Sequence, residues 1–422
     1  MPAVAIGRDD ARRACAAQAL EALRLGVVPA HHLQVYTVGR EVALGAIHED
    51  LARASRSGGL RVVLGDYGSG KTHLLELAQK AALGAGFLAA KATLDSREVQ
   101  PCYPRRLYHQ LARAVRYPDH AEQRPLGLAP LLSRAAEDPA LVRRWSTRAG
   151  GSFHPYLGPT LACWAALAPP GAAEELSERL LDWVEGAEVA SNLDLGAELR
   201  RNTPARGRFY ALQDHRTLTH LYTLLLGGLA ALAHDVGYQG LAVLVDEAEF
   251  YSVLRGEDRT FAEVLFRTVA ASCLSASELG FDPAALPRGG AAVHRSFPYR
   301  FRASQPLYVA FALTHDPEGK ALLSSAVPRA RFLELQPLER ADFVTLSQRV
   351  FSLYQLAEEN PGLGSELASI MGTVIDACHR RGLVDSPRQA LKLVTELVDL
   401  ARHRPERLKP VLAELRRQWE EQ

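Results

Sequence analysis

The chain has 422 residues, of which 47% are hydrophobic, enough for two or three domains with buried cores. Its formal net charge is +1, so no overall positive field favours nucleic acid as a partner. The net charge does not argue against a local basic patch. Only six of the 49 basic residues are lysines, and the abundant Ala, Leu, Gly and Pro are typical of a GC-rich genome. Arginine abundance is therefore no argument for DNA binding.

The five cysteines are scattered without a C-x-x-C pair, which favours free thiols in a reducing compartment over a disulfide or zinc framework. The neighbours Cys378 and His379 are more readily explained without a metal. The first residues, MPAVAIGRDDARRA, lack the apolar core of a signal peptide, and no run of eighteen apolar residues occurs. We expect a soluble cytoplasmic protein without membrane association.

Helical and strand-like segments alternate over the first part of the chain. Amphipathic or helix-favouring spacing predicts helices at residues 8–25, 41–54, 71–83 and 104–116. Short apolar runs predict strands at residues 59–64 and 87–95. From residue 117 to about 203 the pattern is helical but irregular, and we interpret it as a helical insertion.

The second half resumes the alternation. Helices are expected at residues 214–238 and 258–279 and, with short breaks, from 339 to the end. Strands are expected at residues 240–250, 306–316 and 330–338, and the segment 281–305 is punctuated by Pro and Gly as a loop. Buried strands alternating with helices predict an α/β fold with a parallel central sheet.

Residues 65–72, GDYGSGKT, fit the phosphate-binding pattern G-x-x-x-x-G-K-[ST], and we call them the glycine loop. A strand before and a helix after provide the context that this motif needs. Its glycines permit close approach of the backbone, and successive N–H groups at a helix N-terminus can bind phosphate. Lys71 is expected to reach the β- and γ-phosphates of ATP, and Thr72 to bind Mg²⁺. The predicted nucleotide-binding residues here are Gly65, Asp66, Tyr67, Gly68, Ser69, Gly70, Lys71, Thr72 and His73.

The strand LAVLVD ends in acids, and we call residues 246–249 the acidic turn. Asp246 is suited to hold Mg²⁺ and Glu247 to polarise the attacking water. An ordinary strand that ends in a solvated turn has the same sequence, but the upstream glycine loop favours the catalytic interpretation. Glu249 stays open as a substitute for Glu247.

Four further positions are candidates for contacts with the γ-phosphate or the water. Thr314 follows the strand LYVAFAL and either orients the water or caps the strand. Arg329 and Arg331 precede the last strand, where an arginine can reach the nucleotide of a neighbouring subunit, although coincidence is easy in an Arg-rich chain. Arg388 lies in the first turn of a helix that begins with Ser-Pro, where a surface role is equally open.

The order of these motifs resembles a family. VGRE at 38–41 is similar to the N-terminal box of AAA+ proteins of the origin-recognition and STAND type, which implies that the backbone at Val38, Gly39 and Arg40 contacts adenine. The segments LGDYGSGKTHLLE, GFLAAKATLD and VLVDEAE resemble the BREX phage-defence ATP-binding proteins of the BrxC/BrxD type. The resemblance implies an AAA+ ATPase with a helical lid, a DNA-directed role, and helicase or other defence proteins as partners.

These observations predict three parts: an N-terminal helical segment (1–30), an AAA+ domain (31–337) with an insertion at about 117–210, and a helical lid (338–422). The leading hypothesis is an ATPase that remodels or loads DNA-bound partners, as a homo-oligomer if Arg329 or Arg331 acts in trans. A nucleotide-gated switch or scaffold, or a DNA-loading factor unrelated to defence, stays open. The basic and aromatic loop 288–302 is a candidate DNA contact, with a tucked-in surface loop as its alternative.

Overall fold

The computed structural model describes residues 8–29, 33–120, 124–167, 174–188, 191–205, 207–357 and 365–420. The chain divides into two compact units. The first unit is formed by the segments Met1–Gly45, Gly65–Leu77 and Glu334–Gln422, and the second by Ala46–Leu64 and Ala78–Leu333. The chain therefore passes from the second unit to the first between Leu64 and Gly65, directly before the glycine loop.

The sheet has five strands in the order β2-β3-β4-β1-β5. The strands are β1 (Gly59–Leu64), β2 (Leu88–Thr93), β3 (Leu241–Asp246), β4 (Leu307–Leu313) and β5 (Phe332–Glu334). The pairs β2–β3, β3–β4 and β4–β1 are parallel, with Val62 beside Phe311 and Val243 beside Val309. β1, β3 and β4 are buried along their whole length, which accounts for their continuous apolar sequences.

Most helices lie where hydrophobic spacing predicts them. In chain order up to the insertion they are α1 (Arg8–Arg24), α2 (Glu41–Ser57), α3 (Lys71–Gly84) and α4 (Pro104–Arg113). The helix predicted to reach residue 116 ends earlier, because Arg116 pairs with Ala89 in an isolated antiparallel bridge. The two backbone hydrogen bonds of this bridge, 2.9 and 3.1 Å long, take Arg116 out of the helix.

The predicted helical insertion is confirmed over the part of it that is described. It consists of α5 (Ala129–Ala136), α6 (Pro139–Ser146), α7 (Leu157–Leu167), α8 (Glu174–Val184) and α9 (Asn192–Asn202). Trp145 of α6, Trp183 of α8 and Tyr156, directly before α7, are buried in the same hydrophobic core as the sheet. The insertion is therefore packed into the second unit as part of its core.

Two long helices and a loop complete the second unit. They are α10 (Thr219–Asp235) and α11 (Gly256–Cys273), with the short helices α12 (Ala292–Arg295) and α13 (Pro317–Ala326) following. α10 is buried from Thr219 to Ala233, in keeping with its almost uninterrupted apolar sequence. The predicted loop 281–305 contains only the four-residue α12 and a 3-10 turn at Pro283–Ala285.

The first unit has a separate core of helices. After residue 339 the chain forms α14 (Arg340–Ala357), α15 (Ser365–Arg380), α16 (Pro387–His403) and α17 (Pro405–Glu420). Phe343, Val350, Met371 and Val394 from this group share a buried cluster with Leu20 of α1. The same cluster includes Val38 and Leu77, so the segments before and after the glycine loop are anchored in it.

Candidate nucleotide site

Two glycines of the glycine loop adopt a left-handed backbone conformation. Gly68 and Gly70 have φ values of +77° and +97°, in the left-handed region that side chains disfavour. Lys71 opens α3 and is buried, and its Nζ donates to the carbonyl oxygens of Gly65 (3.0 Å) and Asp66 (3.1 Å). The hydroxyl oxygen of Ser69 is buried without a hydrogen-bond partner among the described residues. The loop thus holds a curled backbone, a buried ammonium group and an unused hydroxyl, all of which suit a phosphate chain.

Arg40 connects the N-terminal box to the glycine loop. It is 5% exposed, and its guanidinium donates to the carbonyl oxygens of Ser69 (2.6 Å), Gln336 (3.1 Å) and Gly39 (3.0 Å). Burial lowers the pKa of Arg40, and nearby Asp342 acts in the opposite direction. The sequence resemblance assigns the backbone at Arg40 to adenine, and in the structure the Arg40 side chain donates to backbone carbonyl oxygens and so fixes the shape of the loop. Adenine contact by the backbone at Val38–Arg40 stays a prediction.

His73 lies beside the same box. Its Nε2 is 2.8 Å from the Thr37 hydroxyl, which itself donates to the Leu33 carbonyl, so the imidazole is the donor and carries its proton on Nε2. Its Nδ1 is buried without a partner, and the ring packs on Tyr36 at 4.9 Å between centroids. Burial, with a smaller effect of Arg40, lowers the pKa of His73 to about 4. His73 is therefore neutral and serves as a packed support of the loop.

Arg388 and Tyr67 contact each other. The guanidinium of Arg388 lies over the Tyr67 ring, 4.6 Å from its centroid, and Tyr67 as a residue is 74% exposed. Ser386 caps α16, and a side chain at Gly68 would approach its hydroxyl to 3.1 Å. The first turn of α16 therefore touches the glycine loop.

The acidic turn follows β3 in the second unit. Asp246 is 3% exposed, and its Oδ1 accepts from the backbone N–H of Glu247 at 3.0 Å. Glu247 has a φ of 58°, and among the described residues it is the one non-glycine with positive φ. A 3-10 turn, Ala248–Tyr251, comes next. The hydroxyl of Thr314, at the end of β4, donates to the Glu249 carboxylate.

The two arginines before β5 differ in their surroundings. Arg331 donates to Glu278 and lies 3.9 Å from Asp50, so its charge is engaged within its own chain. Arg329 is exposed, at the start of the 3-10 turn Arg329–Arg331. Of the two, Arg329 is the one that lies exposed at the surface.

The loop 288–302 divides into structural and surface residues. Arg300 donates to the backbone carbonyls of Ala271, Leu274 and Ala303, and Arg302 pairs with Asp235 at 2.7 Å. Phe297 packs on the rings of Tyr156 and Tyr210. Arg288 and Arg295 are exposed. A DNA contact can therefore use only part of the set that the sequence proposes.

Two further findings concern metals and membranes. In the parts of the chain that the structure describes, no group of three or more His, Cys, Asp or Glu side chains is arranged to hold a metal ion. None of the helices described is long and apolar enough to cross a bilayer. All five cysteines are free, and Cys15 alone among them is not buried.

The predicted site residues fall into two groups, one in each compact unit. Val38–Arg40, the glycine loop and Arg388 belong to the first unit, and Asp246, Glu247, Thr314 and the two arginines to the second. Sequence reasoning missed the partners: Gln336 for Arg40, and Glu249 for Thr314. No sequence signal marks Gln336, because a backbone carbonyl is offered by any residue type.

A parallel sheet, a glycine loop directly after β1 and acids directly after β3 form an α/β fold with a parallel central sheet, as predicted from the sequence. Residues 11–127 match the family model described as "BREX system ATP-binding protein BrxC/D". This stretch contains Val38–Arg40 and the whole glycine loop, and the predicted resemblance to that family is confirmed there. No curated protein matches the chain.

Among solved structures, the chain is similar to the ORC2 protein of Aeropyrum pernix, described in its ADPNP-ADP complexes. The two are 12% identical, and the match covers 89% of this chain and 67% of that one with a TM-score of 0.38.

Proposed function

We propose that the protein is an AAA+ ATPase of a BREX-like antiviral defence system, which binds and hydrolyses ATP to remodel or load DNA-bound partners. The observation that carries the proposal is the glycine loop, with its left-handed glycines and buried lysine, inside a stretch that matches the BREX ATP-binding family. Its functional parts are the helical segment 1–30, the nucleotide-binding domain 31–337 with the insertion 117–210, and the lid 338–422.

The glycine loop supplies the binding half of the reaction. Backbone N–H groups from Asp66 to Thr72 face the phosphates at the N-terminus of α3, and Lys71 exchanges its bonds to Gly65 and Asp66 for phosphate oxygens. The backbone at Val38–Arg40 contacts adenine, and His73 and Arg40 keep the loop in shape. Arg388 moves from the Tyr67 ring to the γ-phosphate.

Two side-chain oxygens are proposed as ligands of Mg²⁺. Thr72 follows the buried Lys71, and Asp246 is a buried carboxylate whose one observed hydrogen bond in the described chain comes from the next backbone N–H. Hard oxygen ligands of this kind are those that Mg²⁺ prefers, and the ion neutralises charge on the triphosphate when bound. Thr72 and Asp246 are the residues that would hold it.

The acidic turn supplies the hydrolytic half. Glu247 accepts a proton as the oxygen of water bonds to the γ-phosphorus and the bond from that phosphorus to the bridging oxygen breaks, releasing ADP and phosphate. Its left-handed backbone supports this assignment, because strained residues cluster at reacting sites. Arg329 of a neighbouring copy stabilises the transferred charge, which makes the protein a homo-oligomer. Thr314, at the end of β4, orients the attacking water.

The working partners are DNA and other defence proteins, including a helicase, in the cytoplasm. Five free cysteines support a reducing compartment. The alternative is a STAND-like switch or scaffold that holds ATP and recruits a helicase or nuclease with little turnover. The contact of Arg388 with the Tyr67 ring supports this alternative, since a contact between the lid and the glycine loop suits a nucleotide-dependent switch.

Turnover measurements test the proposal. ATP hydrolysis and ATP binding are compared for the wild type, Lys71→Ala and Glu247→Gln, with and without DNA. We expect Lys71→Ala to abolish binding, and Glu247→Gln to retain binding while turnover falls by about a hundredfold or more. Turnover that survives Glu247→Gln would contradict the assignment of the base. Marginal wild-type turnover under all conditions, despite tight ATP binding, would favour the switch.

DNA binding is tested separately. We propose that Arg288 and Arg295 carry the contact in the loop, because Arg300 and Arg302 are held by the protein. The double variant Arg288→Gln/Arg295→Gln should weaken single-stranded DNA binding and reduce the salt slope by roughly 1 to 2. The matched control is Arg12→Gln/Arg56→Gln, which changes the charge equally at two other exposed positions. An unchanged slope in the first variant removes the loop from the DNA contact.

A further inference from the structure

A charged pair is buried beside the turn that carries Arg329. Asp50 of α2 and Arg61 of β1 are 1% and 8% exposed, and both lie in the second unit. Nε and Nη2 of Arg61 donate to the two carboxylate oxygens of Asp50, at 2.6 and 2.8 Å. The more exposed Arg53 donates to the same carboxylate at 2.7 Å. Two parallel bonds from one guanidinium fix its plane as well as its position.

The third nitrogen of Arg61 holds the backbone of that turn. Its Nη1 donates to the carbonyl oxygen of Ala330 at 3.1 Å, and Ala330 is the middle residue of the 3-10 turn Arg329–Arg331. The turn is closed by the N–H of Arg331, which donates to the Pro328 carbonyl at 2.9 Å. The segment before β5 is therefore tied at its backbone to β1, within the second unit.

Stability alone does not account for this pair. Arg61 is the one charged residue in the sequence of β1, GLRVVL, and that strand is buried along its whole length. Replacing a buried ion pair by apolar side chains of similar volume is often neutral or stabilising, because both charges lose their hydration on burial. An apolar side chain, however, supplies no donor for the Ala330 carbonyl. The geometry of the turn is therefore what the pair adds.

We propose that Arg61, oriented by Asp50, is the positioning residue for Arg329. This inference rests on the proposed action of Arg329 at the ATP of a neighbouring copy. Arg329 is exposed, so the direction of its side chain depends on the backbone from which it starts. A backbone that is already fixed spares the entropy of ordering it when two copies meet, and it places the guanidinium where charge develops on the γ-phosphate. Arg61 is buried within its own chain, so it acts through the turn.

Two variants of the full chain separate the position of the turn from the stability of the fold. Arg61→Lys keeps the positive charge beside Asp50, but one ammonium group cannot reproduce the two parallel bonds together with the bond to Ala330. Asp50→Leu/Arg61→Met replaces the pair by apolar side chains and should leave the midpoint of urea unfolding unchanged or higher. Both variants should lower kcat for ATP about tenfold or more and change KM less than about threefold, because a misplaced arginine weakens the transition state.

The matched control removes an ion pair of the same type elsewhere in the second unit. Arg179 of α8 donates to Glu198 of α9 at 2.6 Å, within the helical insertion. Arg179→Gln/Glu198→Gln should leave kcat within about twofold of the wild type, because this pair is partly exposed and does not contact the turn.

Mixed assemblies show on which side of an interface the defect lies. Two variants with different tags are coexpressed, and the assemblies that contain both are purified. With Glu247→Gln as its partner, Asp50→Leu/Arg61→Met should recover part of the turnover, because its intact base meets a correctly held Arg329 on the other copy. With Arg329→Ala as its partner it should recover none, since neither copy offers a working arginine. A purely structural defect would damage the variant's own site and would give no recovery with Glu247→Gln.

Three results would contradict the inference while wild-type turnover upholds the proposed function. They are wild-type kcat in both Arg61→Lys and Asp50→Leu/Arg61→Met, no recovery with Glu247→Gln, and recovery with Arg329→Ala. Full turnover in Arg329→Ala alone would overturn the action in trans and this inference with it. Absence of wild-type turnover would overturn the proposed hydrolysis and the inference together.

Discussion

Arg40 shows how one buried side chain sets the geometry of the glycine loop. Its guanidinium donates to the backbone carbonyl oxygens of Ser69, in the glycine loop, and of Gln336, after β5. These two residues are far apart in the chain. A planar guanidinium is suited to such divergent acceptors, and a lysine ammonium is not. The residue that the sequence resemblance assigns to adenine thus has a structural role in addition.

Arg40→Ala should lower the free energy of unfolding by about 2 to 3 kcal/mol, because a buried side chain and its charge-assisted hydrogen bonds to two backbone carbonyl oxygens are lost. ATP binding should weaken in the same variant, since the loop loses its support. Arg40→Lys should recover only a part of either loss. Urea unfolding and equilibrium binding of ATP measure the two effects, with the exposed Arg12→Ala as a control that changes neither. Full stability in Arg40→Ala would contradict the bonds described.

His73 makes stability depend on pH. Its pKa of about 4 in the folded chain lies below the ordinary value of 6.5, so folding favours the neutral imidazole. Its contribution is therefore complete above pH 6.5 and is lost as the pH falls from 6.5 towards 4, by up to about 3 kcal/mol. The loss has a visible cause, because a proton on Nδ1 would meet no acceptor.

His73→Gln should flatten the fall of unfolding free energy between pH 6.5 and 4, as measured by urea unfolding at a series of pH values. The exposed His48→Gln serves as the control and should leave the slope as it is in the wild type. A residual slope is expected in every variant, since burial lowers the pKa of His154 in the second unit to about 3. Equal slopes for wild type and His73→Gln would contradict the assignment.

At the scale of elements, most of the fold was predictable because each signal is local. Continuous apolar runs predict β1, β3 and β4. The glycine loop is recognisable because its glycines recur at the positions where the backbone must approach phosphate closely. The end of α4 was not predictable, since the bridge from Arg116 to Ala89 joins two distant segments. The same limit applies to the site. Lys71 is predictable from the glycine-loop motif, and Asp246 from its place at the end of a buried strand. The pairing of Thr314 with Glu249 is not, because it depends on which strands are neighbours in the sheet.

Two glycines, one just before α2 and one inside it, test the backbone conformation of this part of the chain. Gly39 has a φ of +64°, and a Cβ there would come within 2.9 Å of Asp342 and Leu338. Gly39→Ala should therefore cost about 1 to 3 kcal/mol of unfolding free energy. Gly45, inside α2, has open space around it, so Gly45→Ala should add roughly 0.5 to 1 kcal/mol. Urea unfolding of the two variants should give changes of opposite sign, and a shared sign would refute the comparison.

At the scale of the whole molecule, the open question is assembly. The proposal gives the exposed Arg329 to the site of a neighbouring copy, while Arg331 is retained by Glu278 and Asp50. No pattern within one chain predicts the number of copies, because the acceptor of a trans arginine lies on another molecule.

Complementation in mixtures tests assembly. Arg329→Ala should keep ATP binding and lose most turnover, and Arg331→Ala should chiefly lose stability. Mixing inactive Arg329→Ala with inactive Glu247→Gln should restore part of the turnover, because some interfaces then combine an intact arginine with an intact base. Light scattering with and without ATP supplies the mass of the assembly. Failure of the mixture to recover activity, with a mass that confirms mixed assembly, would exclude action in trans by Arg329.

The left-handed backbone of Glu247 has a consequence for the evolution of this chain. A non-glycine residue in that conformation carries a cost of about 1 kcal/mol or more, which glycine would remove and asparagine would reduce. Variants selected for thermal resistance alone should therefore accumulate Gly or Asn at position 247 and lose turnover as they gain heat tolerance. A glutamate that persists at this position marks a lineage in which selection acts on catalysis rather than on robustness.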